Sequence, residues 1–415
     1  MRDFDIAIAG AGIVGTSTAL WAQMRGHKVL LADPNPPGSG TSSGNACTIA
    51  TYACMPVNDP SILLGLPRLL FGKDSPLTIS YTHALKNPRW MLSFLANCSA
   101  KRSQAISRNL AALLAHADAG LNPLIAAASA EDLVVENGQL SVWSSKSGAE
   151  GAEGGIRQRR SNGIHLVELT TEEARSMEPG LELPIERAVF FPEARHIRDP
   201  EQLIQRMHAR FAQLGGQTIA AKVSRVTAHG ESVELRVGDE TLQAGHVVVA
   251  SGAFSGQISG AGTERLPLGT ERGYHVLYAM EGHRINRPIG WSEGGFYAVP
   301  MAKGLRLAGT VEIDNLDKPV NQNRVSYLAR RAKEMFGPMP DPSSHWLGYR
   351  PTMPDSLPVI GQSATSQRVI HAFGHQHLGL TLGGITGRIV TELAEGRQPN
   401  IDLAPFRPDR PYASG

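Results

Sequence analysis

Short apolar runs at the start of the chain set its first elements. Residues 4–9 carry one polar position, Asp5, and predict a buried strand; residues 13–25 are small or apolar and predict a helix stopping at Gly26. Residues 28–32 predict a second strand that ends at Asp33. Beyond a turn-rich loop at 34–46, apolar spacing over 61–130 is mostly helical and strongest over 105–128. Alternation around Asn137-Gly138 predicts a hairpin over 134–143. The glycine, serine and charge-rich stretch 144–163 predicts a mobile loop or linker. Helical periodicity returns over 200–214, and strands are predicted at 217–226, 245–249, 273–280, 297–311 and 369–373. A glycine-rich turn at 374–387 opens a closing helix, and no internal repeat is visible.

The first strand runs into Gly10-Ala11-Gly12-Ile13-Val14-Gly15. In such a turn the first glycine makes the tight bend, the second lets the backbone approach a pyrophosphate, and the third lets helix and strand pack closely. The helix N-terminus offers unpaired N–H groups to phosphates. Asp33, 18 residues after Gly15, stands where a carboxylate can accept from ribose hydroxyls. Strand, glycines, helix, strand and terminal acid in this order point to a dinucleotide site, for either NAD or FAD.

Composition narrows the class further. A chain of 415 residues suggests two or more domains, and a net charge of +2 gives no electrostatic footprint for nucleic acid. Cys47, Cys54 and Cys98 make neither a disulfide framework nor a metal-ligand spacing, which fits a reducing compartment. The first strand lies too close to Met1 for a signal peptide, and no apolar run approaches the ~20 residues that span a bilayer. The expectation is a cytoplasmic protein, at most peripheral to the inner membrane.

After Asp33 the chain does not continue with further βα units. It enters the Ser42-Ser43-Gly44-Asn45-Ala46 loop, and a second glycine turn, Ala250-Ser251-Gly252-Ala253, closes a strand far downstream. With Arg272-Gly273-Tyr274, Gly348-Tyr349-Arg350-Pro351, residues 355–361 and Gly374-His375, this arrangement resembles the FAD-containing D-amino-acid oxidase superfamily over nearly the whole chain. The bacterial D-amino-acid dehydrogenase branch is the nearest in pattern. The resemblance implies an α/β fold: a Rossmann-like FAD-binding domain from 1–60, 195–265 and 340–415, and a substrate domain of mixed antiparallel sheet plus helices from 61–194 and 266–339. It implies FAD held without a covalent link, because no cysteine stands where the similar sarcosine oxidases attach their flavin. The implied contacts add Pro34, Val223, His375, Leu378, Leu380 and Thr381 to the three turns. In the last turn, Gly374 and Gly379 let the backbone approach a flat ring.

The same resemblance implies oxidation of a small D-amino or D-imino acid by hydride transfer from the α-carbon to flavin N5. Arg350 would clamp the substrate carboxylate, since guanidinium offers a planar fork matched to it, and Tyr297 would donate a second hydrogen bond. His377 would contribute to the substrate pocket, or only fill space; His375 would orient a group there or be a satisfied structural histidine. Cys47 lies near the substrate in related dehydrogenases, although an inert buried thiol is the default. Tyr274 and His275 alternate on one strand, and Tyr274 is expected to face in. The apolar segment 62–71 reads as core, lid or a patch touching the membrane where a quinone or another respiratory-chain component takes electrons. The leading substrate is cis-4-hydroxy-D-proline, suggested by the Gly374-His-Gln-His run. An oxygen-using glycine or amine oxidase and a partner-dependent flavoprotein subunit are the alternatives.

Overall fold

The first βαβ unit forms as expected. Phe4–Ala9 pairs in parallel with Val29–Ala32, and the helix Ile13–Met24 connects them. Glu240–Val249 lies parallel on the other side of Phe4–Ala9; Gln217–Ile219 and Ser366–Phe373 extend the parallel array outward. Val223–His229, Ser232–Val237 and Val359–Ser363 add antiparallel strands, giving an eight-stranded sheet among the described residues. Val247, Val248 and Val249 are wholly buried, as strands covered on both faces require. One face is covered by Ile13–Met24 and the closing helix Gly379–Ala394. These two helices touch backbone to backbone: a Cβ on Gly387 would lie 2.8 Å from the Ser17 carbonyl carbon. The computed structural model describes residues 2–60, 62, 77–80, 85, 87–280 and 284–412.

The second sheet, nine-stranded among the described residues, runs in the order Ser344–Thr352, Gly269–Tyr278, Gly304–Ile313, Phe296–Met301, Ile289–Trp291, Gln139–Trp143, Arg187–Phe191, Val167–Leu169, with Leu77–Ile79 paired to Gly304–Ile313. The helix Gln322–Phe336 packs Leu328, Met335 and Phe336 against Tyr274, Val276 and Tyr278 on one face of this sheet. The opposite face meets the loop 43–47 of the nucleotide-binding part. Ser344–Thr352 pairs with Gly269–Tyr278, so the chain stays in the second sheet well past residue 340.

Several local expectations need correction. Asn137-Gly138 does turn the chain, with Gly138 at φ +76°, but its two arms do not pair with each other. Val134–Val135 joins a three-stranded sheet with Thr48–Ile49 and Arg195–Ile197, while Gln139–Trp143 joins the large one. The turn therefore hands the chain between sheets. The stretch 144–163 is not a loop but the helix Lys146–Ser161. Ser145 caps it by accepting from Gly148 N–H, and Glu293 in turn accepts from the Ser144 and Ser145 N–H groups. Its glycines hid this helix, whose one buried apolar side chain, Ile156, packs with Leu166 and Phe191.

Within 61–130 the structure has helices Pro88–Asn97, Ala100–Leu114 and Ala117–Ala127, together with the strand Leu77–Ile79. Contrary to expectation, Ala100–Ala127 is long and apolar enough to cross a membrane by length and composition. It breaks at residues 115–116, and Leu110, Leu113, Leu121 and Leu124 lie in the core under the closing helix. Of segment 62–71 only Ile62 is among the described residues, packed with Trp90 and Phe94.

Candidate functional site

The three glycine turns meet at the C-terminal ends of the parallel strands, around a cleft of about 450 Å³. A cavity in this position and of this size is what a small-molecule or cofactor site requires. Gly10, Gly12, Ile13 and Val14 form one wall, and Ser251, Gly252 and Ala253 stand beside them. Gly10 has φ +107°, and a Cβ there would sit 2.6 Å from Ala250 O. Gly15 lies behind the wall; its missing side chain lets the helix pack on Gly10 O, which a Cβ would approach to 1.8 Å. Ser251 Oγ donates to Ala9 O at 2.9 Å and ties the second turn to the first.

Asp33 Oδ2 accepts from Ala11 N–H and Oδ1 from Asn35 N–H, both at 2.8 Å, so its carboxylate is fixed at the cleft edge next to Pro34. Ser42 Oγ accepts from Ile13 N–H at 3.0 Å, folding the loop 34–46 over the helix start. Asn45 and Ala46 line the cleft with Ser42, and Val223 closes it from the second strand pair. Ser43 is turned away, its hydroxyl donating to Gly40 O.

The last turn forms the floor. Gly374 has φ +85° and lies under Met353, away from the cleft surface. His375 lines the cleft and pairs Nε2 with Thr386 Oγ1 at 2.9 Å; burial pushes its pKa down to about 3, so the ring is neutral. His377 opens onto the cleft, and the surrounding protein, with Arg350 nearby, pushes it down to about 4. Gly379 and Leu380 complete the floor at the closing helix's N-terminus. Leu378 belongs to the hydrophobic core, and Thr381 Oγ1 accepts from Ala50 N–H, so these two support the floor without lining it.

Arg350 enters the cleft from the second sheet. Its guanidinium donates to Thr310 O at 3.3 Å, and burial lowers its pKa while Glu271 raises it. Thr310 has φ +55°, an uncommon and strained conformation for a β-branched residue.

Tyr297, Cys47 and Tyr274 are not part of the cleft wall. Tyr297 pairs across the sheet with Ala308, which pairs with His275, which pairs with Trp346. One row of side chains therefore faces the loop 43–47, with Trp346 at its cleft end. Cys47 is buried against Met301, and Arg306 donates to its Sγ at 3.3 Å as well as to Ser43 O and Asn45 O. Burial raises the Cys47 thiol pKa. Tyr274 corrects the expected orientation. Its ring points into the opposite face, where the hydroxyl donates to Glu312 at 2.6 Å and accepts from Arg272. The residue that alternation sends toward the loop is His275, which pairs with Gly44 O at 3.0 Å and stacks on Trp346.

Sequence reasoning did not single out Trp346, Tyr349, Lys222 or Phe254, all of which line the cleft. The signal for Trp346 was local: Gly44 and Gly348 lack side chains where the indole lies, a Cβ on either coming within 2.3 Å of it.

A family model for FAD dependent oxidoreductases, abbreviated DAO, matches residues 5–393. A D-amino-acid oxidase of Bradyrhizobium diazoefficiens is 34% identical over 98% of this chain and 98% of its own length. D-amino acid dehydrogenase 2 of Ralstonia nicotianae is 28% identical over 97% of this chain and 99% of its own. In three dimensions, glycine oxidase from Geobacillus kaustophilus superposes with TM-score 0.77 at 22% identity, over 99% of each chain.

Proposed function

The chain belongs to the DAO family of FAD-dependent oxidoreductases, and from that premise we propose that it dehydrogenates small D-amino or D-imino acids, with cis-4-hydroxy-D-proline as the leading substrate. The observation that carries this reading is Arg350: a partly buried guanidinium that reaches the same cleft as the three glycine turns. A guanidinium lining the cleft suits an anionic ligand, and a carboxylate matches its fork.

The residues fit the cofactor. Gly10, Gly12 and the N-terminus of Ile13–Met24 would hold its pyrophosphate, Asp33 its ribose, and Gly379 with Leu380 its ring system. FAD bound there supplies the two-electron acceptor for the substrate's α-carbon. Arg350 binds and orients the carboxylate. His377, kept neutral, can accept a hydrogen bond from a substrate N–H or hydroxyl without adding charge beside Arg350. His377 beside Arg350 in the cleft is the support for a hydroxyproline, since a site that bonds a ring hydroxyl would reject analogues that lack it. Reduction of a dye acceptor with cis-4-hydroxy-D-proline, D-proline and D-alanine tests the choice. Preference for D-alanine ends the narrow proposal, and activity with L-amino acids alone ends both.

The acceptor we propose is a quinone or another respiratory-chain component, met at the cytoplasmic face of the inner membrane. Residues 75–117 support such docking: they hold no Asp or Glu but carry Lys86, Arg89, Lys101, Arg102 and Arg108. Co-sedimentation with anionic but not neutral vesicles is the expected result. The second reading, an oxygen-using oxidase, is favoured by the name of the Bradyrhizobium relative. Hydrogen peroxide formed as fast as dye is reduced would establish it.

A further inference from the structure

Glu271 stands directly opposite Arg350 on the neighbouring antiparallel strand. The guanidinium crosses Gly273, the next residue on the same face, so both side chains occupy one side of the sheet. Glu271 is 2% exposed, and among the described residues its Oε1 has no hydrogen-bond partner. Such an atom is costly to bury and calls for a reason. Arg350 itself is bonded to a neutral carbonyl, Thr310 O.

We infer that Glu271 is the internal counter-charge of Arg350, and that a carboxylate docking on Arg350 is accompanied by protonation of Glu271, so that ligand binding takes up one proton. This rests on the reading of Arg350 as the carboxylate clamp. An ionised Glu271, opposite Arg350 in register, is the charge that offsets the guanidinium before a ligand binds. A bound carboxylate offsets the same guanidinium, and two anions on one partly buried cation repel; a solvent proton on Glu271 relieves the repulsion. No bond to carbon forms or breaks, and no electrons move.

The groups surrounding Glu271 are consistent with this. Burial raises its pKa, and the charge of Arg350 followed by a hydrogen bond from the Thr352 side chain lowers it. His377 also feels the charge of the Arg350 guanidinium. Glu312 and Asp314 on the adjoining strand are engaged by Arg272 and Lys318. Glu271 is thus a positioning residue that sets the charge Arg350 presents.

The test uses the FAD-loaded enzyme and acetate, titrated from about pH 5.5 to 9, where acetate stays ionised. Binding is read from the flavin spectrum, and proton uptake from an indicator dye in weakly buffered solution. The expected result is uptake approaching one proton per acetate, with Kd rising about tenfold per pH unit across part of the range. In Glu271→Gln the uptake should vanish, and Kd should be pH-independent and lower than in the parent above neutrality. Should that variant lose FAD, Glu271→Asp is expected to keep the uptake but displace it in pH. Acetate that binds with no proton uptake overturns the inference alone. So does uptake unchanged in Glu271→Gln, which would assign the proton to His377. Acetate that does not bind overturns the Arg350 reading along with it.

Discussion

The guanidinium of Arg350 lies across Gly273: a Cβ on that glycine would sit 2.4 Å from Cζ. The pairing of Gly269–Tyr278 with Gly304–Ile313 shifts register between Gly273 and Tyr274, with Thr310 as the extra residue on the partner strand. The missing side chain is therefore the space in which the clamp lies. Gly273→Ala should push the guanidinium sideways while leaving the nucleotide turns untouched. A displacement of about 1 Å in a positioning group costs on the order of a hundredfold in rate. Steady-state kinetics should show that loss in kcat/KM with flavin content near normal; an unchanged kcat/KM would mean Arg350 does not orient substrate.

Replacing Arg350 itself with Met removes the cation altogether. Loss of a buried charge-assisted pair costs on the order of 3–5 kcal/mol, roughly a hundred- to several-thousandfold in kcat/KM. The protein should still bind FAD, because Arg350 comes from the second sheet and the three glycine turns from the first. Full activity in Arg350→Met would remove the assignment.

How far the sequence could be read depended on whether each signal was local. The Gly10 to Gly15 turn and Asp33 were legible because their spacing alone dictates the backbone geometry that phosphates and ribose need. Arg350 was legible through its Gly348-Tyr-Arg-Pro context. Tyr274 was misassigned because one residue of register decides which face of a sheet a side chain takes, and nothing nearby shows that Glu312 waits on the far side. The helix Lys146–Ser161 escaped notice for a related reason: Glu293, distant in sequence, anchors its start. Thr381 and Leu378 sat in the right segment, but the helical period turns them into the core. Glu271 was invisible because its partner Arg350 lies on another strand.

FAD should be released quantitatively by acid. Cys47, Cys54 and Cys98 are all buried, and Cys47 is held against Met301 and Arg306 behind the loop 43–47. Burial raises the pKa of the Cys47 thiol and so suppresses its nucleophilic thiolate. Precipitation of the purified protein with acid should leave all the yellow colour in the supernatant. Colour on the pellet would contradict a non-covalent site.

Acid should weaken the fold through His375 and His275. Burial pushes each ring down to about 3, against an ordinary value of 6.5. The folded state therefore holds fewer protons than the unfolded state between those two values. Their contribution to stability is complete above about pH 6.5 and is lost progressively as pH falls toward 3. Each neutral ring should cost about 2 kcal/mol of stability by pH 5. Urea unfolding of the FAD-loaded enzyme at pH 7 and pH 5 measures the loss. In His375→Asn the overall stability should be lower at pH 7, since the bond to Thr386 is disturbed, but the drop between the two pH values should shrink by about one histidine's share. An undiminished drop would mean that His375 is not held neutral beneath the cleft.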